Sequence, residues 1–184
     1  MNVFFLDRDP KLAAEFHNDW HVARMIYESA VLLSLANERH GKPGPYFSKR
    51  HLNHPCTKWV AESKSNWLWV KQLAKELNSE CIWRYDSEPH LSWMLIESLE
   101  CYFDVDLGLT KPALAMPDRY KNPDPVVAYR QYYVGGKKHL AVWTTRQKPD
   151  WWDEYAKKMA LPILEQSNLK VAKDILRSLK NGNS

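Results

Sequence analysis

The chain has 184 residues, 26 Lys and Arg against 22 Asp and Glu, and a formal net charge of +4. Hydrophobic residues make up 45%, which excludes a disordered chain, and no run approaches the ~18 apolar residues of a membrane span. Three cysteines (Cys56, Cys81, Cys101) without a CxxC pair exclude a disulfide-stapled scaffold and fit a reduced, cytoplasmic protein.

The start, MNVFFLDRDP, runs from four apolar residues straight into acids, which is not the pattern of a signal peptide. Val3–Leu6 reads as a brief strand or an extended arm. Asp9-Pro10 is a cap followed by a proline suited to a first helical turn, and it opens a short helix to about His17. Asn18-Asp19 caps a second helix from Trp20 to about Arg39, with Val22, Met25, Ile26, Leu32, Leu33 and Ala36 at helical spacing. Residues 40–55 read as a loop. Pro55 opens a helix to about Tyr85, broken near Ser63–Ser65. Ser87-Glu88-Pro89 starts another, to about Phe103. Residues 104–123, with Gly108, Pro112, Pro117 and Pro123, read as a long wrapping loop. Asp124-Pro125 repeats the cap-then-proline signal for a helix to Val134, ended by Gly135-Gly136. A short helix near 137–142 and another over 151–159 follow. No hairpin series, repeat, GxGxxG or GxxxxGK[ST] occurs. The expected fold is all-α: a compact multi-helix domain over 1–159 with long proline-containing loops, and an amphipathic C-terminal helix in 160–184. That last helix packs back on the domain or mediates association, giving a monomer or a weak homodimer.

Charge is strongly segregated. Residues 39–64 hold six bases against Glu62, residues 111–150 hold eight bases against three acids, and residues 76–106 hold eight acids with only Arg84 opposing. Two basic blocks that converge would form a face for phosphates. The candidate contacts in the first part of the chain are His17, Lys49, Arg50, His51, His54 and Lys58. In the second they are Arg119, Tyr120, Lys121, Tyr129, Arg130, Tyr133, Lys137, Lys138, Arg146 and Trp151, where aromatics interleave with bases as base-stacking surfaces do.

The densest chemistry lies on the second helix. His21, Arg24 and Glu28 are spaced i, i+3, i+7 and share a face, with Trp20 or Tyr27 at its margin. A carboxylate between Arg and His at a core edge is suited to general acid–base work. His17, His21, His54 and Cys56 are the residues that a metal-dependent hydrolase would use, but their spacing matches no standard zinc motif, and neither a metal nor another cofactor is expected. A non-catalytic nucleic-acid-binding protein is the other alternative.

The stretch from His21 to Leu33, with its His and a Glu seven residues later, resembles the pyrimidine-dimer DNA glycosylase (endonuclease V-type) family. The layout from His54 to Glu80, and Lys148 to Tyr155, is similar too, so that residues 1–155 are loosely covered. The chain also resembles proteins of tailed phages, which would place it in the host-cell cytoplasm. The resemblance implies an all-α enzyme that removes damaged or modified pyrimidines from DNA and cleaves the strand. Its α-amine would attack the sugar C1′ to form an imine, and Glu28 would be the catalytic carboxylate, with Arg24 and His21 positioning phosphate or sugar. An α-amine, with a typical pKa of about 7.7–8.0, supplies some neutral nucleophile near pH 7. Family members begin with a small residue after Met removal. Here Asn2 follows, so the amine belongs to Met1 or, if Met1 is removed, to Asn2.

Overall fold

The structure, a computed structural model, describes residues 1–42, 44–46, 49–160 and 170. Among them all regular structure is helical, as the sequence predicts. Six helices run in order: α1 (Pro10–Phe16), α2 (Asp19–Arg39), α3 (Pro55–Glu62), α4 (Lys64–Tyr85), α5 (Leu91–Glu97) and α6 (Pro125–Gly136). Residues 151–160 are also helical, and single 3-10 turns occur at Lys49–His51, Asp118–Tyr120 and Lys138–Leu140. The C-terminal helix expected over about 163–180 lies outside the described residues, apart from Lys170. No helix among the described residues is long and apolar enough to cross a membrane.

The helix starts follow local chemistry. Asp9, Asn18 and Asp124 each accept a backbone N–H of the first turn, and Pro10, Pro55 and Pro125 occupy first-turn positions where no donor is required. The extended backbone of Ser63 separates α3 from α4, and its hydroxyl donates to Gly108 O at 2.8 Å, tying the break to the wrapping loop. The main departure from expectation is in α5. α5 is shorter at both ends: residues 87–90 stay outside it, with His90 capping it through Nδ1, and it stops at Glu97 instead of running to about Phe103. Gly135-Gly136 forms the last two residues of α6 and so ends it, two residues beyond Val134. A Cβ on Gly135 would stand 2.5 Å from Tyr120 Cε1, so this glycine serves close packing against the wrapping loop.

α2 and α4 form the centre, with α1, α3 and α5 packed on them. The N-terminal arm supplies the pin. Val3, Phe4, Phe5 and Leu6 are buried. Phe4 lies 4.6 Å from the His21 ring and 5.3 Å from that of Tyr133, while Phe5 lies 4.5 Å from Trp69. The arm therefore bridges α6 to α2 on one side and to α4 on the other. It is irregular, not a strand: Phe4 has φ +46°, a left-handed conformation that a bulky side chain holds only when its surroundings enforce it. Arg130 Nε donates to Leu6 O at 2.9 Å and its guanidinium pairs with Asp7 at 3.0 Å, which fixes the end of the arm to α6.

Candidate active site

The arm carries Met1 and Asn2 to the side of α2. Asn2 is buried, and its side chain is fully engaged: Nδ2 donates to Ala115 O at 2.9 Å, and Oδ1 accepts from Val3 N at 2.8 Å. Its backbone N–H donates to Glu28 Oε2 at 2.9 Å. The other carboxylate oxygen of Glu28 faces Arg24 Nε at 3.5 Å, one helical turn away. The Glu28 side chain is 17% exposed and that of Arg24 56%, so the pair spans the boundary between core and solvent.

A cavity of about 230 Å³ opens at this point, lined by Met1, Arg24, Tyr27, Glu28, Tyr46 and His51, with Val31 at its floor. Tyr27 and Tyr46 meet edge to face at 5.4 Å, and the Arg24 guanidinium lies 5.4 Å from the Tyr27 ring. Contacts with α2 and α3 hold Gly44, Tyr46 and His51 here. A Cβ on Gly44 would stand 2.6 Å from Ser34 Cα, Tyr46 N–H donates to Ser34 Oγ, and Thr57 Oγ1 donates to His51 O at 2.8 Å. His54 is the cap of α3: its Nδ1 accepts from Cys56 N–H, which leaves the ring proton on Nε2. Burial and then the positive N-terminus depress the proton affinity of His54, whereas Glu28 raises it, so all three groups share one electrostatic neighbourhood. Burial pushes the Cys56 thiol up to about 12, which removes it as a nucleophile.

The remaining candidates are distributed as follows. His21 shares the face of Glu28 but sits two turns away, buried, with Nδ1 hydrogen-bonded to the Tyr133 hydroxyl at 2.8 Å. His17 is fully buried and bonds Ala13 O through Nδ1, while its Nε2 has no partner. Tyr120, Tyr129, Tyr133 and Trp151 are buried, and Tyr129 donates to Ala113 O at 2.6 Å. The Arg130 guanidinium lies against the Phe16 and Trp151 rings, and Arg146 pairs with Glu80, so both guanidiniums have internal work. Arg50, Lys58, Arg119 and Lys138 are exposed and Lys137 is half-buried; Lys121 pairs with Asp118 at 2.7 Å. Lys49 begins the 3-10 turn that ends at His51. The four residues considered for a metal each have other engagements, and among the described residues no group of three or more His, Cys, Asp or Glu is placed to hold an ion. Three cavity residues, Tyr27, Val31 and Tyr46, are not among the candidate site residues that the sequence offers. Tyr27 is signalled by its i+3 spacing from Arg24, but Tyr46, in a loop, carries no periodic signal.

The two buried histidines predict a pH dependence of stability. Burial lowers His17 to about 4 and His21 to about 3, against 6.5 for an ordinary histidine. Between these values the unfolded chain takes up protons that the folded chain refuses. The contribution is therefore complete above about pH 6.5 and is lost as pH falls. Between pH 6.5 and 5, where ordinary carboxylates stay largely ionised, the expected loss is on the order of 2 kcal/mol for each histidine. Urea unfolding at pH 7.5, 6 and 5 reads this as a falling midpoint; a midpoint unchanged over that range would contradict it.

No protein-family model, curated protein or solved structure matches this chain.

Proposed function

We propose that this chain is a DNA glycosylase/lyase-like enzyme acting on damaged or modified pyrimidines, with the chain's own α-amine as nucleophile and Glu28 as its proton-transfer partner. The observation that carries the reading is the 2.9 Å hydrogen bond from Asn2 N–H to Glu28 Oε2 in a cavity that Met1 also lines. The buried arm thus brings the first peptide N–H of the chain to a carboxylate that lines the same cavity as Met1. With Met1 retained, the amine is one residue from that hydrogen bond; with Met1 removed, the amine nitrogen is the Asn2 nitrogen itself.

The chemistry follows from these positions. The neutral amine attacks C1′ of the deoxyribose, an N–C1′ bond forms, and the bond from C1′ to the base breaks, its electron pair leaving with the base, which takes up a proton. Glu28 accepts the proton released from the attacking nitrogen. The C1′–O4′ bond then breaks as the nitrogen lone pair forms the iminium ion, and the ring oxygen takes the proton back from Glu28. Loss of a C2′ proton then expels the 3′ phosphate, and water hydrolyses the imine to restore the amine. Arg24 is placed to hold a phosphate oxygen beside Glu28, and Tyr27 and Tyr46 supply ring faces to a sugar or base lifted out of a duplex. Wild-type protein and Glu28→Gln, assayed on duplexes carrying an abasic site, a pyrimidine dimer or a hydroxymethylated pyrimidine, test the reading. Cleavage or base release by the wild type on at least one substrate, lost in the variant, is expected; a wild type inert on all three would overturn it.

A further inference from the structure

Trp20 is 65% exposed in the first turn of α2, and among the described residues it has neither a hydrogen bond nor a ring partner. A large aromatic surface left in water at a helix start is costly, and it suits a ligand that offers a flat face. Trp20, Arg24 and Tyr27 are spaced i, i+4, i+7, so they pave one stripe of α2 that ends at the cavity. The cation on this stripe is Arg24, whose guanidinium lies 5.4 Å from the Tyr27 ring. The segment after α6, which carries Lys137 and Lys138, is tied to this end of α2 by Asp19 N–H to Val142 O at 2.9 Å. The Asp19 carboxylate is turned inward, accepting from Thr144 N–H at 2.8 Å and pairing with Arg84.

We propose that Trp20 is a base-stacking residue that holds an unpaired nucleotide of the strand whose target sits in the cavity. The proposal rests on the nucleic-acid reading of the Glu28 cavity and adds a strand path to it. Eight residues of helix separate Trp20 from Glu28, about 12 Å along the axis. With stacked nucleotides about 3.4 Å apart, the stacked base lies about three nucleotides from the target, or two where the strand is stretched.

The test uses the full chain and 15-nucleotide DNAs carrying a tetrahydrofuran abasic analogue, single-stranded and in duplex, so that no chemistry is required. Fluorescence anisotropy is read against salt for the wild type, Trp20→Ala, Trp20→Phe and Lys137→Ala/Lys138→Ala, with circular dichroism as the folding control. Trp20→Ala is expected to weaken binding about tenfold to a hundredfold at an unchanged salt slope, and Trp20→Phe to recover most of the loss. The double lysine variant is expected to flatten the slope, because it removes phosphate contacts. Affinity within twofold of the wild type for Trp20→Ala, an equal loss for Trp20→Phe, or no binding by the wild type overturns the proposal. Binding through Trp20 by a protein that forms no imine with DNA would leave the stacking role standing and remove the glycosylase reading. Imine formation with a dispensable Trp20 would do the reverse.

Discussion

Replacing Glu28 by glutamine is expected to lower base release and strand cleavage by about 10²–10⁴-fold while leaving DNA affinity within a few-fold of the wild type. The substitution keeps the size and the hydrogen-bond acceptor for Asn2 N–H, so the arm stays in place. What it removes is the group that accepts the amine proton. It also removes the counter-charge of Arg24, which is already half exposed and can turn to solvent or phosphate at little cost. The effect should therefore fall on kcat, with KM nearly unchanged, because the interaction is made in the transition state. A loss confined to KM would assign Glu28 to binding, and an unchanged kcat/KM would remove it from the mechanism.

Arg84→Ala is expected to be the most damaging substitution away from the cavity. The Arg84 side chain is fully buried in α4, pairs with Glu80 at 2.8 Å and Asp19 at 3.3 Å, and donates to His17 O and Glu15 O. Glu80 is also bound by Arg146, whose guanidinium lies over the Trp83 ring, so this one cluster joins α1, the start of α2, α4 and the segment before residues 151–160. The two guanidiniums hold the Glu80 carboxyl below the usual carboxylate range although its burial acts the other way. Removing Arg84 takes a buried counter-charge from Glu80 and Asp19, which keep Arg146 and Thr144 respectively, and leaves the His17 and Glu15 carbonyls without their donor. The expected cost is about 3–5 kcal/mol, or roughly 6–20 °C in Tm. Differential scanning calorimetry at pH 7 measures it, and a shift below about 3 °C would show that water replaces the guanidinium.

The sequence made the helices legible wherever a cap and a period coincide. Asn18 and the apolar spacing of α2 specify that helix almost to the residue, and the Ser63 break shows as a polar interruption between two apolar stripes. The pairing of Arg24 with Glu28 is legible for the same reason, since the i, i+4 relation is local. What is not legible is set by tertiary contact. Gly135-Gly136 carries the signal of a helix end and does end α6, but nothing local reveals the close approach of Tyr120 to Gly135. The tyrosines of α6 have the composition of a stacking surface, but Tyr129 and Tyr133 point into the core, where the arm and His21 meet them. The arm reads as a short apolar start, and nothing local reveals that it delivers Asn2 to Glu28 across 26 positions of sequence.

The central claim, that the chain's own amine does covalent chemistry beside Glu28, is tested most directly by borohydride trapping. Wild-type protein is mixed with a duplex bearing a natural abasic site and reduced with borohydride, and the adduct is mapped by peptide mass spectrometry. The account predicts a stable protein–DNA adduct on the α-amine of the first residue, abolished when that amine is acetylated. An adduct on a lysine, or no adduct from protein that binds the duplex, would contradict it.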